Sequence, residues 1–209
     1  MLPDPDTLVP FVIAVVVIAL TPGPDMAFFL GRAINQGRAA GLAAMAGASA
    51  GILVHTTLVA LGLSALILTA PTLFLALKLA GAAYLGWLAV QAVRHGSALT
   101  LPAKAPAHVS LGANFASGMA INLLNPKIVL FFMTFLPQFV QPGNPDASGQ
   151  LVVLGLLFIA VALCITIPMI LAADQVAVLF RDSPRLSRAL DWLFASVFAA
   201  FAVHLLRTR

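Results

Sequence analysis

Apolar residues fill six long stretches of this chain, and short polar segments separate them. The stretches are, in chain order, residues 8–31, 39–68, 71–93, 111–140, 151–173 and 186–206. Each is long enough for an α-helix to cross a bilayer, which takes roughly 20 residues. The pattern therefore predicts six transmembrane helices, with a five-span or re-entrant arrangement as the alternative.

The composition agrees with a membrane protein. Hydrophobic residues make up 61% of the 209 residues and charged residues only 9%, whereas soluble domains have about 45–50% apolar and about 25% charged residues. The net charge of +4 comes from basic residues in loops, which indicates membrane topology rather than nucleic-acid binding. A single Cys164 excludes an intrachain disulfide and a cysteine metal cluster. We expect no cofactor and no bound metal.

Lys and Arg distinguish the loops on the two sides of the membrane. They occur in the first, third and fifth loops and are absent from the N-terminus and from the second and fourth loops. These residues are Arg32, Arg38, Arg94, Lys104, Arg181, Arg185 and Arg188. Because positive charge favours the cytoplasmic side, we expect the odd-numbered loops in the cytoplasm and both termini in the periplasm. Arg207 and Arg209 do not fit this rule.

A polar loop at about residues 94–110 divides the chain into two halves of three spans. We predict one membrane transport domain over residues 1–209, with one repeat at about 1–95 and a second at about 111–209. Since three spans precede it, the second half enters the membrane from the opposite side. The predicted fold is an all-α integral membrane protein whose six helices form a 3+3 inverted repeat, with helices 1 and 4 broken.

Two helix-breaking motifs lie deep within the first and fourth apolar stretches, namely Thr21-Pro22-Gly23-Pro24-Asp25 and Asn125-Pro126-Lys127. Each lies about 14–18 residues into its helix, or about 21–27 Å from its start. Because the two helices enter the membrane from opposite faces, both breaks fall near or somewhat beyond the membrane midplane. Lipid cannot satisfy the backbone groups that such breaks leave free, so they require protein or a watery cavity around them. Ionisable residues at that depth mark a transport pathway.

The breaks have the chemistry of a site for a zwitterion. Asn125 is a favoured N-cap and Pro126 a favoured first helical residue, so a half-helix is predicted to begin there, and Gly23-Pro24-Asp25 follows the same pattern. A helix start suits a carboxylate, and the carbonyls that end the preceding half suit an ammonium group. The candidate substrate-binding residues are Thr21, Gly23, Asp25, Asn125 and Lys127, with Pro22, Pro24 and Pro126 as the helix breaks.

Lys127 is a cation in the first turn of a helix, where the helix dipole disfavours it. We therefore expect an anionic partner, either Asp25 or the carboxylate of the substrate. The simpler alternative is that Asp25 only caps a helix and Lys127 extends toward water. Lys78 is expected to reach the outer headgroups, and Asn122 to bond the broken helix.

A transported proton requires a titratable group within the membrane, and the candidates are Asp25, His55 and Asp174. Imidazole titrates nearest neutral pH, although a lone histidine in a membrane more often bonds a neighbouring helix. Asp174 is either a second pathway carboxylate or an interfacial residue beside Arg181.

Small residues predict close packing of helices. Gly37 and Gly41 are four residues apart, as are Gly47 and Gly51. Such small-xxx-small pairs let helix backbones approach closely. The contact is expected within the protomer or across a dimer.

These motifs resemble the lysine-exporter and homoserine/threonine-exporter (LysE/RhtB) family of bacterial inner-membrane amino-acid exporters. The resemblance covers nearly the whole chain. It rests on Thr21-Pro22-Gly23-Pro24, on residues 77–86 (LKLAGAAYLG) and on residues 114–139, which contain Asn125-Pro126-Lys127 and Leu136-Pro137-Gln138-Phe139. It implies a six-helix protein, a homodimer in the membrane lipid, that exports homoserine/threonine-like or other neutral amino acids by proton antiport. Which amino acid is exported does not follow from the resemblance.

Other classes of function fit the sequence less well. A divalent-cation exporter of a related superfamily needs several carboxylates, and Asp25 and Asp174 are the candidate carboxylates within the membrane. An intramembrane enzyme lacks a Ser/His, His-x-x-x-His or paired-carboxylate motif where catalysis needs it. A non-transporting scaffold leaves two charged helix breaks without a purpose. We therefore expect a transporter and not an enzyme.

Overall fold

The structure, a computed structural model, describes residues 5–63, 71–95, 109–140 and 144–207. These ranges are helical and contain no strand. The helices are α1 Pro5–Leu20, α2 Pro24–Gln36, α3 Arg38–Leu58, α4 Pro71–His95, α5 Leu111–Leu124, α6 Pro126–Leu130, α7 Ala147–Leu171, α8 Ala173–Asp182 and α9 Pro184–Arg207. A π-helical turn, Val59–Leu63, extends α3, and α6 continues as a π-helical turn, Phe131–Phe135, and a 3-10 turn, Leu136–Phe139. Most of the predicted 94–110 loop lies outside the described residues.

Two helices in the described ranges are each long and apolar enough to cross a membrane, Arg38–Gly62 and Ala147–Leu171. Two further pairs meet the same criteria together but are bent, by 52° between Thr7–Leu20 and Pro24–Gln36 and by 53° between Leu111–Leu124 and Pro126–Phe139. The number of candidate spans is therefore two, or four if each bent pair is one span. The all-helical membrane fold is confirmed, and both bends occur at the predicted breaks. Helices α4 and α9 cover two further apolar stretches.

The described residues form two apolar cores, and the larger one contains an aromatic cluster. The Phe131 ring lies 5.2 Å from the rings of both Phe135 and Phe158, and 6.3 Å from the ring of Phe11. Phe11 and Phe132 are fully buried. The irregular turns after α6 are thereby packed against α1 and α7, which holds the second break in place.

Helices α3 and α5 cross with their backbones in contact. A Cβ added to Gly47 would overlap the carbonyl of Phe115, and a Cβ added to Gly118 would overlap the carbonyl of Ala44. This crossing needs glycine on both helices. It brings the end of α5, and with it the second break, against α3.

The other predicted packing glycines have different surroundings. A Cβ on Gly41 would lie 2.8 Å from Ala33, and one on Gly51 would lie 2.7 Å from Asn122 Oδ1, so close packing is confirmed at both. The prediction was wrong for Gly37, because a Cβ added there would meet none of the described residues within 4 Å. Gly37 links α2 to α3 at φ 90°. Glycine is needed there for its positive φ and not for packing.

Gly118→Ala is expected to destabilise the protein, by about 1–3 kcal/mol, because the added methyl group forces α3 and α5 apart. Gly112→Ala on the same helix is the matched control, since a Cβ there meets nothing within 4 Å in the part of the chain that the structure describes. Thermal unfolding of the purified variants in detergent measures the difference. Equal midpoints for the two variants would show that the crossing is looser than described.

Candidate functional site

The first break exposes carbonyl oxygens at the end of α1. Pro22 has no N–H, so the carbonyl of Ile18, four residues earlier, lacks its helical donor. The Thr21 N–H and hydroxyl do not help, because both donate to Val17 O, at 2.9 and 2.6 Å. The carbonyls of Ile18 and Thr21 are thus free of helical partners at the negative end of α1.

The second break begins a new half-helix, as predicted. Asn125 has φ −72° and ψ 109°, outside the helical region, and its Oδ1 accepts the Lys127 N–H at 3.0 Å. The predicted Asn125 N-cap is confirmed. Gly23 occupies the corresponding position before α2 in an extended conformation, without a side-chain cap.

Lys127 joins the two breaks. Its Nζ donates to Thr21 O at 3.0 Å and to Ile18 O at 3.2 Å. Gly23 leaves room for the ammonium group, since a Cβ there would lie 3.1 Å from Nζ. A cation at the start of α6 is therefore stabilised at the end of α1, where the dipole favours it. The expected anionic partner of Lys127 is present as Asp25, which attracts it electrostatically, whereas its hydrogen-bond partners are carbonyls.

Asp25 lies in the first turn of α2, close to the same point. Its Oδ2 accepts a hydrogen bond from Asn122 Nδ2 at 2.9 Å. Its Oδ1 is buried and has no hydrogen-bond partner among the described residues, although the Asn125 amide lies near the carboxylate. Asp25 and Lys127 attract each other through space. Opposite charges on two helix starts thus meet in one place.

A cavity of about 60 Å³ lies between these groups. Thr21, Asp25, Asn122 and Lys127 form its polar end. Its remaining wall is mainly apolar and includes Met26, Phe29, Met45, Ile52, Phe158 and Leu163. A cavity that binds benzene measures about 150 Å³, so this one has room only for a few water molecules. An amino acid requires the surrounding helices to move apart.

The predicted residues His55 and Asp174 do not line this cavity. His55 is buried on α3, with its ring 5.8 Å from that of Phe132, and interacts electrostatically with Asp25 without lining the cavity. Asp174 is exposed in the first turn of α8 and does not line it either. The side chain of Lys78 lies outside the described residues.

Asn122 lies at the cavity, although the sequence predicted only that it bonds the broken helix. It lines the cavity, is almost fully buried and holds Asp25, 97 residues away in the chain. Its amide packs against the bare backbone of Gly51. An asparagine one turn before a helix break, within a stretch long enough to cross a membrane, is the signal that points to it.

An all-helical membrane fold with a small charged cavity between two broken helices is the arrangement found in secondary transporters. This chain belongs to the LysE type translocator family, whose model matches residues 16–209. Family membership confirms the resemblance seen in the sequence. Because the members of this family are transporters, the protein is a membrane transporter and not an enzyme.

Named relatives cover most of the chain. The chain is 33% identical to the homoserine/homoserine lactone efflux protein of Salmonella typhimurium over 181 residues, 87% of this chain and 86% of the relative. It is 27% identical to the leucine efflux protein of Salmonella choleraesuis over 197 residues, 93% of this chain and 92% of the relative. An uncharacterised membrane protein of Pseudomonas aeruginosa is 32% identical over 199 residues, 93% of this chain and 92% of the relative. No solved structure matches the chain significantly.

Proposed function

We propose that this protein exports small neutral amino acids across the bacterial inner membrane and holds them between its two broken helices. The observation that carries the proposal is the meeting of Asp25 and Lys127 in one cavity. An amino acid has one ammonium group and one carboxylate, so it matches this pair of charges. Buried charges are costly in a membrane, and charged residues at that depth therefore indicate a functional site.

The cavity wall supports a neutral side chain. Asp25 and Lys127 are its charged lining residues, and Ser49 and Thr166 add hydroxyl groups to the apolar surface. A dibasic substrate would place a second ammonium group against apolar side chains, which is unfavourable. Homoserine and leucine, for which two relatives are named, both have uncharged side chains.

The packing of the described helices supports a 3+3 inverted repeat. The two bends, 52° and 53°, occur in the first helix of each proposed half. The second helices, α3 and α7, contact each other, and so do the third helices, α4 and α9. We propose six spans, with alternating access produced by movement of one half against the other around the substrate site.

Topology and assembly remain predictions from the sequence. The positive-inside pattern supports cytoplasmic odd-numbered loops and periplasmic termini. A homodimer is proposed from the family resemblance.

Cells with and without the protein test the proposed substrate class. Loaded with labelled homoserine, leucine or lysine, cells that produce the protein are expected to retain less homoserine or leucine than control cells and the same amount of lysine. Equal retention of all three would contradict the proposal. Lower retention of a divalent metal ion instead would favour the cation-exporter alternative.

Proton antiport is the proposed transport mechanism, and the proton gradient is its energy source. Asp25 lines the cavity and His55 is coupled to it electrostatically, whereas Asp174 is exposed on α8. In sealed vesicles containing the protein, we expect an imposed pH gradient to drive leucine uphill and leucine movement to shift protons in return, since coupling is reciprocal. Transport driven by a Na⁺ gradient and indifferent to pH would contradict this coupling.

A further inference from the structure

The carbonyls at the end of α1 form a binding site for a cation, and Lys127 occupies it. Pro22 removes the backbone donor that Ile18 O would otherwise use, and one ammonium group lies 3.2 Å from Ile18 O and 3.0 Å from Thr21 O. Ile18, Thr21 and Lys127 all line the cavity. A substrate in the cavity therefore lies beside the same two carbonyls.

We propose that Lys127 competes with the ammonium group of the substrate for the carbonyls of Ile18 and Thr21. During binding, the substrate ammonium replaces Lys127 on these carbonyls. The inference rests on the proposed amino-acid substrate and adds an order of exchange at its site. In the unloaded protein the lysine occupies the position of the substrate ammonium. In the loaded protein it turns to the substrate carboxylate.

The strengths of the interactions favour this exchange. Lys127 is held by two neutral carbonyls, and an ammonium group binds a carboxylate more strongly than it binds a neutral acceptor. When Lys127 leaves, however, Ile18 O and Thr21 O lose their partner, and unpaired buried acceptors are unfavourable. The substrate ammonium restores that partner and lies near Asp25, whose Oδ1 has no hydrogen bond among the described residues.

The exchange makes the site selective for a zwitterion. A carboxylate without an ammonium group draws Lys127 away and leaves the two carbonyls unpaired. An amine without a carboxylate must displace Lys127 while offering it no new partner. Each half of an amino acid is therefore expected to bind poorly on its own.

Isoamylamine, which is leucine without its carboxylate, is the probe that isolates the competition. With purified protein and calorimetry, we expect wild type to bind leucine and to bind isoamylamine weakly. Lys127→Met removes the competing charge and keeps the length of the side chain, so isoamylamine is expected to bind about tenfold more tightly or better than to wild type. Lys127→Arg keeps a cation at this position and is expected to leave amine binding weak.

Gly23→Ala is a second substitution, which itself changes no charge. Its Cβ would lie 3.1 Å from Lys127 Nζ, and the extended backbone of Gly23 accepts any residue. The methyl group crowds the position that Lys127 and the substrate ammonium share, so adding Gly23→Ala to Lys127→Met is expected to remove the gain in isoamylamine affinity. If Lys127→Met does not fold, Lys127→Gln, which also removes the charge, is measured in its place.

The outcomes separate the inference from the proposed function. If wild type binds leucine but removal of the Lys127 charge gives no gain in affinity for isoamylamine, or the gain survives the addition of Gly23→Ala, the substrate ammonium uses Asp25 alone and the competition does not exist. If wild type binds neither leucine nor homoserine, the proposed function fails, and this inference fails with it.

Discussion

Lys127→Ala is expected to abolish amino-acid export while the protein remains folded in the membrane. The change removes the proposed partner of the substrate carboxylate and leaves the carbonyls of Ile18 and Thr21 without their donor. Removing one partner of a buried charge pair costs about 2–5 kcal/mol, which corresponds to roughly 30-fold to several-thousand-fold weaker binding. Water can enter the space left by the truncated side chain, so we expect the fold to survive.

Efflux of labelled homoserine from cells, at equal amounts of protein in the membrane, measures this effect. Lys78→Ala removes the lysine of another apolar stretch and is the matched control, for which near-normal efflux is expected. Near-normal efflux from Lys127→Ala would place the substrate site elsewhere.

Asp25→Asn is expected to stop export as completely as Lys127→Ala does. The new amide has the shape of the carboxylate, and its oxygen can still accept the hydrogen bond from Asn122 Nδ2, so the packing of α2 is preserved. What is lost is the negative charge that faces the substrate ammonium and, in the proposed mechanism, carries the proton. Isosteric substitution therefore separates the role of the charge from that of the hydrogen bond.

Asp174→Asn provides the comparison for Asp25→Asn. It neutralises an exposed carboxylate outside the cavity, and we expect it to retain most of the efflux. The same efflux assay, with thermal unfolding as the check on folding, covers both variants. Export by Asp25→Asn at the level of Asp174→Asn would contradict the role given to the charge at Asp25.

Local features of the chain predicted the two breaks well. Proline without an N–H, asparagine as an N-cap and glycine before a helix act through the few residues beside them, so their effects at Pro22, Gly23, Asn125 and Pro126 follow from the sequence alone. The bends of 52° and 53° occur at these positions. Gly37 shows the limit of pattern reasoning, because the same residue type serves a packing contact or a positive φ.

Contacts between distant segments could not be predicted in the same way. Lys127 finds its carbonyl partners 106 and 109 residues earlier in the chain, and Asn122 finds Asp25 97 residues earlier. The crossing of α3 and α5 at Gly47 and Gly118 brings the end of α5 against α3, and the small-residue pattern predicted close packing at Gly47 but not the helix that packs there. The sequence therefore indicated Asp25 and Lys127 as candidates for an interacting pair, but not the atoms that hold each of them.

Counterflow in liposomes tests most directly whether the two broken helices form an amino-acid transport site. Liposomes containing wild type are loaded with unlabelled homoserine and placed in a trace of labelled homoserine, with Asp25→Asn, Lys127→Ala and protein-free liposomes in parallel. We predict transient accumulation of label by wild type and none by either variant beyond the protein-free level. Accumulation by both variants at the wild-type rate, or no accumulation of homoserine, leucine or threonine by wild type, would contradict an amino-acid transport site between the two broken helices.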